Sequence, residues 1–157
     1  MTPSDLHPVI AQYRAGLEAE MALLKALEAI AVRQRDASLG ADLEVLAGVS
    51  DERDRLMASI VTIEHEMKPI RLTLLERRRD LEGSGEFQEL AALHRDAAAL
   101  VSTIVASDHD SLVALKEAEL ARRFAAQSLE KGESTLAAYR RVVAPHLAGA
   151  RLVNRKG

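Results

Sequence analysis

The sequence predicts an all-α protein, an elongated antiparallel helical bundle or coiled coil of three long helices plus a short C-terminal helix. Hydrophobic residues recur at steps of three and four over long stretches, which is coiled-coil spacing. The composition is 48% hydrophobic and 29% charged but only 3% aromatic, which suits helices because straight-chain residues lose little rotamer freedom there. The clearest break is a short glycine-containing connector, and short connectors place successive helices antiparallel.

The first helix is predicted over about residues 5–39. Oxygen-bearing residues at 2–5 can cap it, and Pro8 is tolerated only in a first turn. Gly40 is predicted to end it, because glycine accepts the left-handed cap conformation at little cost. Glu20 fills one gap in the apolar stripe, whose members are Leu6, Ile10, Tyr13, Leu17, Leu24, Leu27 and Ala31.

The second helix is predicted over residues 42–82, with Asp42 as its cap. Its stripe keeps the same phase on both sides of Pro69, which favours a kink there over a loop. Arg53 lies in register with the stripe, and we expect its alkyl stem to pack while its charged end reaches water.

The third helix is predicted over residues 85–131, after the connector Gly83-Ser84-Gly85, with Ser84 as its N-cap. Asp108 and Ser111 predict a polar layer in its middle. Lys131-Gly132 predicts a break, followed by a short helix over 134–144 that Pro145 ends. One domain is therefore expected over residues 1–147, with a basic flexible tail over 148–157. The predicted stripe of the third helix comprises Phe87, Leu90, Leu93, Ala97, Leu100, Val101, Ile104, Leu112, Leu115, Leu120, Phe124 and Leu129.

Composition excludes several classes of protein. A net charge of −3 and a pI of about 6.0 argue against a nucleic-acid-binding protein, which usually has a strongly basic face. The chain has no cysteine, so disulfides and thiolate chemistry are excluded. No apolar run approaches the roughly 18 residues of a membrane span, and the N-terminus lacks the order of a signal peptide. We therefore expect a cytoplasmic protein.

The sequence offers little for catalysis or for metal or cofactor binding. The histidines are scattered, and no Glu-x-x-His pair of a di-metal bundle is present. Asp108, His109 and Asp110 resemble a ligand cluster in the sequence, but neighbours on a helix diverge by about 100°. There is no glycine-rich phosphate loop. The prediction is therefore a protein that is not an enzyme and needs no cofactor or metal.

Binding residues are predicted on the short C-terminal helix, where Leu136, Tyr139 and Val142 form one apolar stripe beside Val143. Two interpretations are open. The segment can fold back and complete a four-helix core, or it can stay exposed until an amphipathic partner helix covers it. The second is consistent with its length, because isolated helices under about 12 residues are marginal in water.

Parts of the chain resemble flagellar export chaperones of the FlgN/FliT type. The segments 34–39, 42–46, 52–57 and 60–64 resemble the front half of that family. A second match runs over residues 104–139 and includes Leu115, Glu119, Ala126, Leu129 and Gly132.

The resemblance implies a cytoplasmic, non-enzymatic helical chaperone. Such proteins bind C-terminal amphipathic helices of axial proteins, either hook–filament junction or filament-cap proteins, and deliver them to the type III export apparatus. The family binds cargo through its C-terminal region, which implies partner-binding roles for Leu136, Tyr139, Val142 and Val143. The alternative is a structural or adapter coiled coil, as a homodimer or as part of a secretion apparatus, that carries no cargo.

Overall fold

The chain is helical throughout the range that the computed structural model describes, which is the backbone of residues 3–154 and the side chains of residues 5–143. In this range the elements are α1 (Pro3–Leu39), α2 (Leu43–Glu76), α3 (Arg78–Leu81) and α4 (Gly85–Asn154). No strand occurs among these residues, so the all-α prediction is confirmed. The chain divides into two compact units, Met1–Leu115 and Lys116–Gly157, hereafter unit 1 and unit 2.

In unit 1, α1 and α2 pack in opposite directions. Tyr13 contacts Arg71, and further along α1 the Gln34 side chain contacts Arg53, so residue numbers fall along α2 as they rise along α1. The two helices come close at Gly16, where an added Cβ would lie 2.6 Å from the Met67 sulfur. A larger residue there would displace the side chain of Met67, which is buried.

The core of unit 1 is two aliphatic clusters that share the α1 stripe. All seven predicted stripe residues of α1 are buried, and fully burying one such side chain contributes about 1.5–3 kcal/mol. The first cluster comprises Leu6, Ile10, Tyr13, Leu17, Met67, Leu74, Leu81 and Leu90. The second comprises Leu24, Leu27, Ala31 and Ile104.

Two predicted N-caps are confirmed. The Asp42 carboxylate accepts a hydrogen bond of 3.2 Å from the backbone N–H of Val45 at the start of α2. The Ser84 hydroxyl accepts one of 3.2 Å from the backbone N–H of Phe87 at the start of α4. Each bond satisfies a donor that the first turn of a helix leaves without an intrahelical partner.

The end of α1 differs from the prediction in one detail. The helix ends at Leu39 as expected, but the left-handed residue is Ala41, with φ of 50°, and not Gly40. The N–H of Asp42 donates to the Ala37 carbonyl (3.0 Å), and that of Ala41 donates to the Ser38 carbonyl (3.3 Å). These two bonds form a Schellman motif, in which the left-handed residue follows the C-cap.

The second predicted helix is divided at Arg77. Helix α2 passes through Pro69 without a loop, as expected, and ends at Glu76. Arg77 leaves the helical conformation at φ of −101° and ψ of 17°, and the separate turn α3 follows. The prediction of one helix over 42–82 was therefore wrong at its end. The Arg77 N–H bonds the Leu75 and Thr73 carbonyls, so the last turn closes before the chain restarts.

The largest correction concerns the C-terminal region. Neither the break at Lys131-Gly132 nor a separate helix over 134–144 occurs, because α4 runs to Asn154 as one 70-residue helix. A glycine in a helix interior costs only about 1 kcal/mol, too little to interrupt a run of good helix formers. The backbone also stays helical past Pro145. Proline costs the helix one hydrogen bond, but its fixed φ is compatible with a helix. The backbone of residues 148–154, predicted as tail, belongs to α4, while 155–157 lie outside the described residues.

The predicted stripe of α4 was wrong at Val101, which is 45% exposed, and at every position after Ile104 except Leu115, which is partly buried. Leu112, Leu120, Phe124 and Leu129 are exposed, and the buried residues are instead Ser107, Ser111 and Ala114. The alternating steps of three and four that pass through Ile104 lead to these small side chains. The predicted stripe departed from this register because it was assigned to the larger apolar residues.

One helix in the described range, α4 over Gly85–Val143, is long and apolar enough to cross a membrane by length and composition. Its qualifying window has a mean hydropathy of 1.2 and is 22% buried. Core helices of soluble proteins can meet the same criterion, and Ile104 of this helix packs in the second core cluster. The criterion alone therefore assigns no membrane role.

The C-terminal motif of α1 predicts opposite effects of two neighbouring substitutions. Ala41→Gly should raise the free energy of unfolding by about 0.5–1 kcal/mol, because the left-handed conformation costs an L-residue about 1–2 kcal/mol and glycine almost nothing. Gly40→Ala is the matched control and should not destabilise, because its Cβ would meet only carbonyl oxygens at 3.6 and 3.9 Å. Urea denaturation measures both. A loss of stability in Ala41→Gly would contradict the assignment.

Candidate functional site

Unit 2 presents large apolar side chains to solvent. Between residues 116 and 143 no side chain is buried. The exposed fractions are 52% for Leu120, 61% for Phe124, 75% for Leu129, 69% for Leu136, 66% for Tyr139 and 65% for Val142. Contiguous exposed apolar surface of this kind marks interaction sites more often than ordinary protein surface.

All of these residues except Leu120 lie on one side of the helix. At about 100° per residue, the charged residues of 118–143 all fall outside a sector of roughly 140°. We call this sector the uncharged face. Its members are Ala118, Ala121, Phe124, Ala125, Ser128, Leu129, Gly132, Thr135, Leu136, Tyr139, Val142 and Val143.

All four predicted binding residues lie on the uncharged face. Leu136, Tyr139 and Val142 are each about two-thirds exposed, and Val143 is partly exposed. None of them belongs to a core cluster of the described residues.

The part of the face from Ala118 to Gly132 is not among the predicted binding residues. Leu129, Leu136 and Val143 recur at intervals of seven, and this heptad column was the available signal. It was overlooked because Gly132 was interpreted as the end of a helix. Because α4 continues through Gly132, Leu129 lies on the same continuous surface as Leu136 and Val143.

Small residues occupy the middle of the uncharged face from Ala121 to Gly132, and Tyr139 occupies the same line further along the helix. Ala121, Ala125 and Gly132 bring the backbone close to the surface, with the larger Leu129 and Leu136 along one edge. Gly132 lies in a shallow concavity that includes both leucines and the charged residues Glu133 and Arg140. A second helix can lay an apolar side into such a groove with its own charges at the rim.

A separate polar cluster interrupts the core of unit 1. The Arg71 guanidinium donates to both carboxylate oxygens of Glu64 at 2.9 and 2.7 Å, and to the Tyr13 hydroxyl at 3.0 Å. The Tyr13 oxygen is 2.9 Å from His94 Nε2, to which it donates when the imidazole proton is on Nδ1. The cluster therefore connects α1, α2 and α4.

Glu20 is the buried acid of this cluster. Its side chain hydrogen-bonds Glu64, its Oε1 atom has no partner, and the residue is only 6% exposed. Burial, followed by the hydrogen bond and charge of Glu64, raises the pKa of Glu20 to about 7. The hydrogen bond from Glu20, with help from Arg71, lowers the pKa of Glu64. The two carboxyl groups thus share one proton, held on Glu20.

The cluster follows a pattern that the sequence contains. Tyr13 and Glu20 are seven residues apart on α1, and Glu64 and Arg71 are seven apart on α2. Residues at this interval lie on the same side of a helix, so antiparallel helices bring the two pairs together. The role of Glu20 could not be predicted from the α1 stripe, in which it only fills a gap, because the pattern does not indicate which residue of α2 it meets.

The predicted polar layer of α4 is confirmed, with a partner that was not predicted. Asp108 accepts two hydrogen bonds of 2.6 Å from Arg53 of α2, which also donates to Gln34 of α1 at 2.9 Å. The Arg53 charge is therefore paired with Asp108, and its side chain is 21% exposed. Within the part of the chain that the structure describes, no three acidic or histidine residues are grouped so that they could hold a metal ion.

No protein-family model, curated protein or solved structure matches this chain.

The shared proton predicts a pH dependence of stability. Since the folded-state pKa of Glu20 lies above its ordinary value of 4.5, the folded protein binds more protons than the unfolded one between these values. Stability should fall as pH rises through 7, by on the order of 1–3 kcal/mol. Glu20→Gln, which keeps a donor to Glu64, should remove this loss. Thermal unfolding at pH 5.5 and 8.5 measures it.

His94 opposes this trend, because burial and the charge of Arg71 lower its pKa, so its contribution to stability is lost as pH falls below 6.5. Comparing Glu20→Gln with wild type at each pH isolates Glu20. Glu18→Gln, on the exposed side of α1, is the matched control. An equal response of both variants would contradict the shared-proton assignment.

The Arg53–Asp108 pair predicts that substitutions of Asp108 and of Asp110, two residues further on, differ in their effect on stability. Asp108→Asn should lower the free energy of unfolding by about 1–3 kcal/mol, because it leaves a half-buried guanidinium without its carboxylate. Asp110→Asn is the control, since Asp110 is exposed, and it should change stability by less than about 0.5 kcal/mol. Chemical denaturation distinguishes the two, and equal losses would show that the pair does not stabilise α4 against α2.

Proposed function

We propose that this protein is a cytoplasmic, non-enzymatic helical chaperone that binds an amphipathic helix of another protein along the uncharged face. In this proposal α1, α2 and α4 up to Leu115 form an antiparallel helical bundle. The resemblance to the FlgN/FliT type suggests the cargo, namely the C-terminal helices of hook–filament junction or filament-cap proteins. Binding would prevent their early assembly until delivery to the type III export apparatus.

The observation that carries the proposal is the exposure of the uncharged face. Leu129, Leu136 and Tyr139 are each at least 66% exposed on a side of the helix without a charge from Ala118 to Val143. Leaving such side chains in water forgoes about 25 cal/mol per Å² of apolar surface that could be buried. A partner helix that covers them recovers this free energy.

The dimensions of the face support a helix as the occupant. Residues 118–143 extend over about 39 Å at 1.5 Å per residue, which accommodates several turns of a partner. Small residues in the middle let two backbones approach closely, and the leucines at the edge give apolar contact. Charged residues on both sides, among them Lys131 and Arg140, can pair with acidic residues at the rim of the cargo.

The same face supports a second candidate, a homodimeric adapter coiled coil. A second copy of residues 118–143 would bury the same leucines and would leave no surface for cargo. The two functions differ in the mass of the isolated protein. Light scattering of purified protein at micromolar concentration should give a monomer for a chaperone with an open face, and a fixed dimer for the adapter.

The chaperone proposal predicts a loss of binding without a loss of stability. Tyr139→Ala and Leu129→Ala should each weaken binding of a helical peptide from the C-terminus of an axial protein about tenfold, equivalent to about 1.4 kcal/mol. Their midpoints of thermal unfolding should stay within about 1–2 °C of wild type, because both side chains are exposed. Calorimetric titration of the peptide measures the binding.

Gln127→Ala is the matched control, because Gln127 lies on the opposite side of the same helix and is exposed. Its binding should equal that of wild type. A large drop in the unfolding midpoint of Tyr139→Ala would show that Tyr139 is a core residue. Equal weakening by Gln127→Ala, or no binding of a helix from any axial protein, would overturn the proposal.

A further inference from the structure

Unit 1 contains a cleft that the helix-binding proposal does not use. Its volume is ≈ 420 Å³, within the range of about 300–1,000 Å³ typical of small-molecule sites. The end of α2, the turn α3 and the first turns of α4 form its walls. The lining residues are Tyr13, Arg71, Leu74, Leu75, Arg78, Leu81, Phe87, Ala91, Leu90 and His94.

The cleft lies where the helical conformation is interrupted twice. Helix α2 ends at Glu76, and Arg77 is not helical, so α3 begins as a separate turn. The chain then turns at Gly83, whose φ of 91° lies in the region that glycine adopts without strain, and α4 begins at Gly85. Because two helix ends and a short turn meet here, side chains do not fill the space as they do between Leu17 and Met67.

The walls of the cleft are apolar and the polar groups at its edge are cationic or neutral. Leucine, phenylalanine and alanine side chains provide most of the surface, and no acidic residue lines it. Arg71 is committed to Glu64 and Tyr13. Arg78 has one contact, from Nε to Glu82 at 3.4 Å, and its two terminal nitrogens make no hydrogen bond with any residue that the structure describes.

We propose that this cleft binds a small aliphatic carboxylate, with its hydrocarbon chain against Leu74, Leu81 and Phe87 and its carboxylate on Arg78. The charge of the lining selects the occupant. A guanidinium can hold a carboxylate with two parallel hydrogen bonds, whereas a cationic amphiphile would meet Arg71 and Arg78 without a counter-charge. A small polar anion would leave the apolar walls in contact with water, so both parts of the ligand are required.

The first test compares two ligands with the same chain and opposite charges. Purified full-length protein is titrated calorimetrically at pH 8 and low ionic strength with decanoate and with decyltrimethylammonium, both below their micelle concentrations. Decanoate should bind saturably at one site, and decyltrimethylammonium should bind at least tenfold more weakly. Equal affinities, or no saturable binding of decanoate, would overturn the proposal.

Two matched pairs of variants locate the site. Arg78→Gln should weaken decanoate binding about three- to fivefold, as expected for an exposed ion pair, while Arg79→Gln should not change it. Leu75→Glu places a negative charge in the wall and should abolish binding. Its control, Leu72→Glu, is on the same helix at similar exposure, 52% against 58%, but outside the lining, and should bind normally.

All four side chains are exposed, so the variants should fold, which circular dichroism verifies. If Leu72→Glu weakens binding as much as Leu75→Glu, or Arg79→Gln as much as Arg78→Gln, decanoate is attached to general surface and the cleft is not its site. The test uses the full-length protein. Binding to the uncharged face is measured separately, with helical peptides, so the two proposals can fail independently.

Discussion

The packing of the α1 stripe into α2 and the first half of α4 is the interaction on which unit 1 depends. Seven stripe residues are buried, and both aliphatic clusters draw members from them. With so few aromatic residues, the core depends on close approach of the helices. Gly16 allows that approach at Met67. A change that separates α1 from α2 would therefore weaken both clusters together.

The polar groups between the two clusters cost free energy to bury, but they determine the register in which the helices pack. An ionised Glu20 in the stripe would cost several kcal/mol, and with a pKa of about 7 this cost sets in as pH rises through neutrality. The Arg71–Tyr13–His94 contacts and the Arg53–Asp108 pair each join specific residues on different helices. Aliphatic side chains alone would allow the helices to slide by one turn, and such pairs form in only one register.

The continuity of α4 determines how the C-terminal region can act. As a separate short helix, residues 134–144 would need a core to stay folded. As part of a 70-residue helix, the same residues extend an uncharged surface that begins at Ala118. The cargo proposal and the homodimer alternative both follow from this surface, because each covers apolar residues that the folded unit leaves in water. The cleft near Arg78 is chemically different, since two arginines and no acidic residue line it.

The sequence by itself determined the all-α class, the α1 stripe, the caps at Asp42 and Ser84 and the polar layer at Asp108, because these depend on periodicity and on contacts within a few residues. It also placed Leu136, Tyr139, Val142 and Val143 on one side of a helix. Only the tertiary structure decided that Arg53 pairs with Asp108, that Glu20 meets Glu64, and that Ser107 and Ser111 are buried in place of Leu112. Such contacts depend on which helices meet and in what register. The break at Gly132 was mispredicted for a related reason, since the local cost of glycine is smaller than the stability of the long helix around it.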